Sequence, residues 1–143
     1  MSVPTHLTLE IVTPDRALAH EEVDEVQLPG TEGYLGILPG HTPLLTGLKV
    51  GQLWYRKGTE KFYLSIAFGF AEVLPDRVRL LAMIAERADE IDLTRAEQER
   101  KRAEELIQAA RSGNADIDME RARVSLMKAM IRIQVAAKTK VRN

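Results

Sequence analysis

The stretch ERADEIDLTRA, residues 86–96, is where the chain changes its period. Before it, apolar residues recur at every second position, the spacing of a strand. After it they recur at steps of three and four, the spacing of a helix. Asp92 is suited to be a helix N-cap, Leu93 is the first apolar residue of the periodic run, and an acid at a helix start complements the dipole. Arg95 is left over by that account, because a cation in the first helical turn has the less favoured sign.

Upstream, residues 5–85 read as strands. THLTLEIVT puts Leu7, Leu9 and Ile11 on one face and breaks at Pro14-Asp15. VDEVQL is a short strand bounded by Pro29-Gly30. QLWYRKGTEKFYLSI carries two aromatic and β-branched runs around Lys57-Gly58-Thr59-Glu60, the pattern of a hairpin. FGFAEVLPDRVRLLAMIA repeats it around Pro75-Asp76, with Val78, Leu80 and Ala82 alternating. Many short strands at close spacing predict an antiparallel β-sandwich or flattened barrel.

Downstream, one helix is predicted from Leu93 to Arg111, a turn at Ser112-Gly113-Asn114, and a second helix capped by Asp118 and running to Lys138. So short a connection makes an antiparallel hairpin. The expected seam is Leu93, Ala96, Arg100, Ala103, Ile107 and Ala110 against Met119, Ala122, Leu126, Ala129, Ile133 and Ala136. Half of these positions are alanine or a charge, so at about 25 cal/mol per Å² the seam yields only a few kcal/mol before ordering entropy is subtracted. The hairpin is therefore expected to detach or unfold more readily than the sandwich. The division follows: residues 1–86 a β-sandwich, residues 87–143 a hinge and helical hairpin.

Composition narrows the function. With 45% hydrophobic and 29% charged residues the chain is a soluble globular type, and the absence of cysteine removes disulfides, thiolate metal sites and cysteine nucleophiles together. The longest apolar run, LLAMIA at 80–85, is too short to cross a bilayer, and MSVPTHLTLE lacks the pattern of a signal peptide, so a cytosol-like compartment is expected. The net charge of −1 hides a gradient: residues 1–90 hold 13 acids and 8 bases, residues 117–143 hold 2 acids and 7 bases. A basic end on an acidic chain fits an acidic partner or a solvated helix face. It contains no aromatic residue for stacking, which argues against nucleic acid.

Motifs of catalysis are not met. LPGTEGYLGILPGH, residues 28–41, is glycine-rich but carries neither GK[ST] nor a GxGxxG opening a helix, so its glycines are assigned to tight turns and bulges. His6, His20 and His41 have no paired-ligand spacing, and no serine sits in a nucleophile elbow. No catalytic or metal-binding residue is expected.

The order of features is nonetheless specific. GTEGYLGILPGHTPLLTGLKVG at 30–51, with LTLEIVTPD before it and FGFAEV and AERADEIDLTRA after it, resembles the epsilon subunit of bacterial F-type ATP synthases, called delta in mitochondria. The resemblance covers essentially the whole chain. It implies an N-terminal sandwich that contacts the gamma subunit and the c-ring, coupling proton-driven rotation to ATP synthesis. It further implies a movable C-terminal hairpin that inhibits ATP hydrolysis by reaching the catalytic alpha/beta head, and a peripheral place on the cytoplasmic face of the bacterial inner membrane, held through partners. Tyr34 and His41 fall among the rotor-facing turns, Tyr34 where an acid is often found.

The junction matches the I(L)DxxRA motif with which some members of that family bind ATP. Carried over, Glu86, Ile91, Asp92, Arg95 and Ala96 fall on the motif, joined by Arg102 on the first helix and by Lys128 and Arg132 on the second; Lys128 replaces an arginine. ATP would be a regulatory ligand, no cofactor being required. Four cations on a hairpin could converge on phosphate, while the acids accept from base or ribose. Rival readings are a stand-alone ATP or phosphate-ligand sensor, a chaperone-like helical hairpin, and a small β-barrel enzyme; surface ion pairs and a plain helix cap account for the same residues without a ligand.

Overall fold

The computed structural model describes residues 3–141 and divides the chain into two compact units, Met1–Arg87 and Ala88–Asn143. The first holds eight strands: β1 (Leu7–Val12), β2 (Ala17–Val23), β3 (Glu25–Gly30), β4 (Gly33–Ile37), β5 (Leu44–Leu48), β6 (Gly51–Lys57), β7 (Glu60–Leu74) and β8 (Arg77–Arg87). They run in the order β2-β1-β8-β7-β5-β3-β4, with β6 joined to both β3 and β7. This is the expected β-sandwich. Its described pairings are antiparallel except that of β1 with β8, which is parallel and puts Leu9 beside Val78 and Ile11 beside Leu80.

The alternation read from the sequence is the alternation observed. Leu7, Leu9 and Ile11 are fully buried, and Val78, Leu80 and Ala82 face the same core with Val26, Leu28, Leu53, Leu64 and Ile66. Both two-residue turns fall where expected, Gly58-Thr59 between Lys57 and Glu60, and Pro75-Asp76 between Leu74 and Arg77. The glycine-rich stretch departs from expectation. It contains the end of β3 and all of β4, and Gly30, Gly33 and Gly36 lie inside strands rather than in turns.

Strand β7 makes the sandwich close. From Glu60 to Ile66 it pairs with β6; from Gly69 to Val73 it pairs with β5; β8 pairs with it from Leu64 to Leu74, across the change of partner. The change of partner happens at Phe68 (φ 62°) and Gly69 (φ 121°), two successive residues with positive φ. Such a local kink lets one strand turn the corner between the layers of a sandwich. At Gly69 the neighbouring strand comes so close that a Cβ would stand 2.0 Å from the carbonyl oxygen of Leu81 and 2.9 Å from Cα of Ala82.

At β2, β3 and β6 a polar cluster ties the strands together. Tyr55 donates to Glu21 (2.6 Å) and Lys57 donates to its other oxygen (2.9 Å), which together hold the Glu21 carboxyl below its ordinary value. Asp24 accepts from the Gly58 amide at 2.7 Å, and Arg56 binds Glu25 at 3.0 Å. Arg87 donates to the carbonyl of Leu18, a strand otherwise at the end of the sheet order.

In the second unit a single 3-10 turn, Ala88–Glu90, leads to α1 (Leu93–Arg111) and α2 (Met119–Val141). These are the two predicted helices, α1 with the predicted bounds, and Gly113 in the link has φ 102°. The two helices and the 3-10 turn pack on one another. Ala96, Ala103 and Ile107 are buried on α1, and Ala122, Ala129, Val135 and Ala136 on α2. The predicted stripe is therefore right at Ala96, Ala103, Ile107, Ala122, Ala129 and Ala136, only half-buried at Ala110, and wrong at Arg100, which is exposed and pairs with Glu104 at 3.9 Å. Val135 lies off the predicted stripe.

Gly69→Ala should destabilise the sandwich strongly, because it combines a positive φ with a backbone collision. We expect a loss of at least ~3 kcal/mol and a thermal midpoint lower by more than ~10 °C. Retention of the parental midpoint would show that the β7 corner is not held by this contact.

Candidate functional site

The start of α1 is built by the residue expected to build it. Asp92 is extended (φ −79°, ψ 98°) and its Oδ1 accepts the backbone N–H of Arg95 at 3.0 Å, while its carbonyl accepts from Ala96. Asp118 does the same for α2, accepting from Arg121 at 3.1 Å. Each cap satisfies a donor that has no partner inside its own helix.

The predicted ligands separate into three groups. Arg95 and Arg102 are exposed on α1, seven residues apart and hence on one face. Lys128 and Arg132 are half-buried on α2, one turn apart. Arg132 reaches across the hairpin to the carboxylate of Glu99, so the two helices are linked by an ion pair. Glu99 lies four residues after Arg95 and three before Arg102, which places one carboxylate among three guanidinium-bearing positions. Ile91 is half-buried and its amide donates to Ala88.

Two predicted residues have other settings. Ala96 is wholly buried in the hairpin, so in this arrangement its side chain is a packing group and not a ligand contact. Glu86 is on β8 opposite Ser65, in the sandwich unit rather than in the hairpin.

The rotor-facing candidates differ in character. Tyr34 on β4 is 53% exposed, and its hydroxyl accepts the Gln52 amide at 3.1 Å, so its ring is pinned at the surface. His41 is held by its own loop: Nδ1 donates to the Thr42 carbonyl at 2.6 Å and its amide donates to Leu38.

A surface that sequence reasoning did not single out lies on β5, β7 and β8. Phe70 (61% exposed) stands directly opposite Leu81 (53%), with Met83 two residues further along β8, Phe68 two residues back on β7, and Leu45 on β5. The signal was present: in FGFAEV the two phenylalanines share a parity opposite to the buried Ala71 and Val73. On α2, Met127 and Met130 are likewise exposed, away from the alanine seam. Contiguous uncovered apolar side chains of this size mark contact surfaces.

A sandwich with one apolar face uncovered, followed by a capped helical hairpin bearing a cationic face, defines a two-part interaction protein. Its family is set by comparison. Residues 6–88 match the family described as ATP synthase, Delta/Epsilon chain, beta-sandwich domain, and residues 89–137 match ATP synthase, Delta/Epsilon chain, long alpha-helix domain. The ATP synthase epsilon chain of Herpetosiphon aurantiacus is 52% identical over 130 residues, covering 91% of this chain and 93% of its own. That of Solibacter usitatus is 44% identical over 136 residues, covering 95% and 99%. A chain of the Euglena gracilis mitochondrial ATP synthase OSCP/F1/c-ring assembly shares the fold, with a TM-score of 0.79 at 22% identity over 99% of this chain and 84% of that one. The chain belongs to the ATP synthase delta/epsilon family, as an epsilon chain.

Asp92→Ala should cost about 1 kcal/mol of helix stability, seen as faster amide exchange at Arg95, with the sandwich unaffected; Asp92→Asn, which keeps an acceptor, should restore it. Equal exchange in all three proteins would remove the cap from the account.

Proposed function

We propose that the sandwich, residues 1–86, clamps the gamma subunit and the c-ring and so couples proton-driven rotation to ATP synthesis. The hairpin, residues 87–143, acts as a movable brake on ATP hydrolysis by the catalytic alpha/beta head. The observation that carries this reading is uncovered apolar surface on both units: Leu45, Phe70, Leu81 and Met83 on the sandwich, Met127 and Met130 on α2. The seam between the helices is made largely of alanine, so the hairpin keeps little apolar area for itself. It gains by burying its second apolar face elsewhere, and which arrangement prevails depends on the difference between the two sets of contacts. The basic end of the chain favours acidic surfaces of the head.

The same reading puts the chain on the cytoplasmic face of a bacterial inner membrane, attached through its partners. No helix among the described residues is long and apolar enough to cross a membrane. Removing residues 92–143 from the assembled synthase is expected to raise ATP hydrolysis while gamma stays bound. Unchanged hydrolysis would exclude a braking role for the hairpin.

We further infer that ATP is a regulatory ligand of the hairpin, bound through its phosphates by Arg95, Arg102, Lys128 and Arg132, with Asp92 available to accept from the ribose or base. Supporting this is the cationic face of the hairpin, where the carboxylate of Glu99 already meets Arg132. Calorimetric titration of the full chain with ATP should give a binding heat that Arg95→Ala and Arg132→Ala weaken at least about tenfold, the equivalent of one lost charge-assisted contact. Equal binding by all three proteins would reduce these arginines to surface charge.

A further inference from the structure

Glu99 on α1 is joined across the hairpin to Arg132 on α2, one of the proposed phosphate-binding cations. Its carboxylate meets the Arg132 guanidinium across the two helices. The Arg132 side chain is only 18% exposed, so the pair is partly withdrawn from water on that side, while Glu99 is 47% exposed and open to replacement. Among the described residues, Arg95 and Arg102 show no side-chain partner, and both lie on the helix face of Glu99, one turn to either side. A carboxylate offers a guanidinium the same two-oxygen edge that a phosphate does.

We propose that Glu99 is an internal anion that occupies the phosphate position of this hairpin, so that a phosphate-bearing ligand binds Arg132 only by displacing it. The inference rests on reading Arg95, Arg102 and Arg132 as a phosphate site. Its consequence is a regulated affinity. Without ligand, Glu99 links α1 to α2 and pairs with Arg132, a half-buried cation. With ligand, the polyphosphate takes Arg132 and Glu99 turns to solvent, at the cost of breaking the pair. The apparent affinity is the intrinsic one multiplied by the fraction of hairpins in which Arg132 is released. If the pair is closed nine times in ten, affinity is lowered about tenfold. A ligand of several negative charges overcomes this competition because it also engages Arg95 and Arg102; one that offers a single carboxylate does not.

The competing role is that Glu99 orients Arg132 for the ligand, and the two roles differ in sign. Titration calorimetry of the full chain with ATP would compare the parent, Glu99→Gln, Arg132→Ala and the double variant, with circular dichroism and thermal melts as the folding control. A half-exposed ion pair contributes little to stability, so Glu99→Gln should melt within a few degrees of the parent. Displacement predicts that Glu99→Gln binds ATP about tenfold more tightly, and that the gain disappears in the double variant because it acts through Arg132. A Glu99→Gln variant that binds ATP where the parent's heat is too small to measure supports it equally. ATP binding that depends on Arg132 but is unchanged or weaker in Glu99→Gln overturns the proposal and leaves the phosphate site standing. Absence of binding in every variant, Glu99→Gln included, overturns both.

Discussion

The fold depends on a close backbone approach at one corner. Where β7 leaves β6 and takes up β5, Gly69 passes within contact distance of the Leu81 carbonyl, with no room for a side chain. Because β8 follows β7 through this corner, the two longest strands carry the sheet from one layer to the other. The core between the layers, from Leu7 on β1 to Ala82 on β8, is enclosed as a result. Phe68, immediately before the corner, takes a positive φ that costs a non-glycine residue some strain. That geometry also turns its ring outward, in line with Phe70. The corner thus produces the uncovered apolar face as well as the closed core.

The hairpin is governed by a different economy. Alanine at Ala96, Ala103, Ala122, Ala129 and Ala136 lets two helices approach closely, yet contributes little apolar area at each position. Its caps at Asp92 and Asp118 and the Arg132–Glu99 ion pair contribute about 1 kcal/mol or less each. Nothing comparable to the sandwich core anchors it. An element held by many small terms is suited to exchange one set of contacts for another.

Much of this was legible in the residues, because local patterns report local structure. The alternation of Leu7, Leu9 and Ile11, the turn pairs Gly58-Thr59 and Pro75-Asp76, the caps Asp92 and Asp118, and the stop at Gly113 are each decided within a few residues. What was missed is decided by partners far along the chain. β4 looks like a turn because Gly33 and Gly36 fall within its five residues, whereas pairing with β3 makes it a strand. Arg100 has seam spacing but a local partner in Glu104 that keeps it at the surface. Ala96 reads as part of a ligand motif and is a packing residue. Glu99 carried no sequence signal at all, since its meaning comes from Arg132, 33 residues away.

The cations of α1 and α2 can now be ranked by position rather than by type. In an antiparallel hairpin with Arg132 opposite Glu99, the turn containing Lys128 lies level with Arg102 and Ala103. The planar fork of arginine matters most where a two-oxygen group must be gripped in a fixed orientation, and on the proposed reading that place is Arg132, which grips the carboxylate of Glu99. On that reading Lys128 stands one turn away, where a point charge would meet the outer phosphates of a bound ligand without setting its register. On the proposed reading, replacing arginine by lysine there trades orientation for charge at a position that needs mainly charge. The position that decides affinity is then the carboxylate facing Arg132, an acidic residue outside the motif that first drew attention to the site.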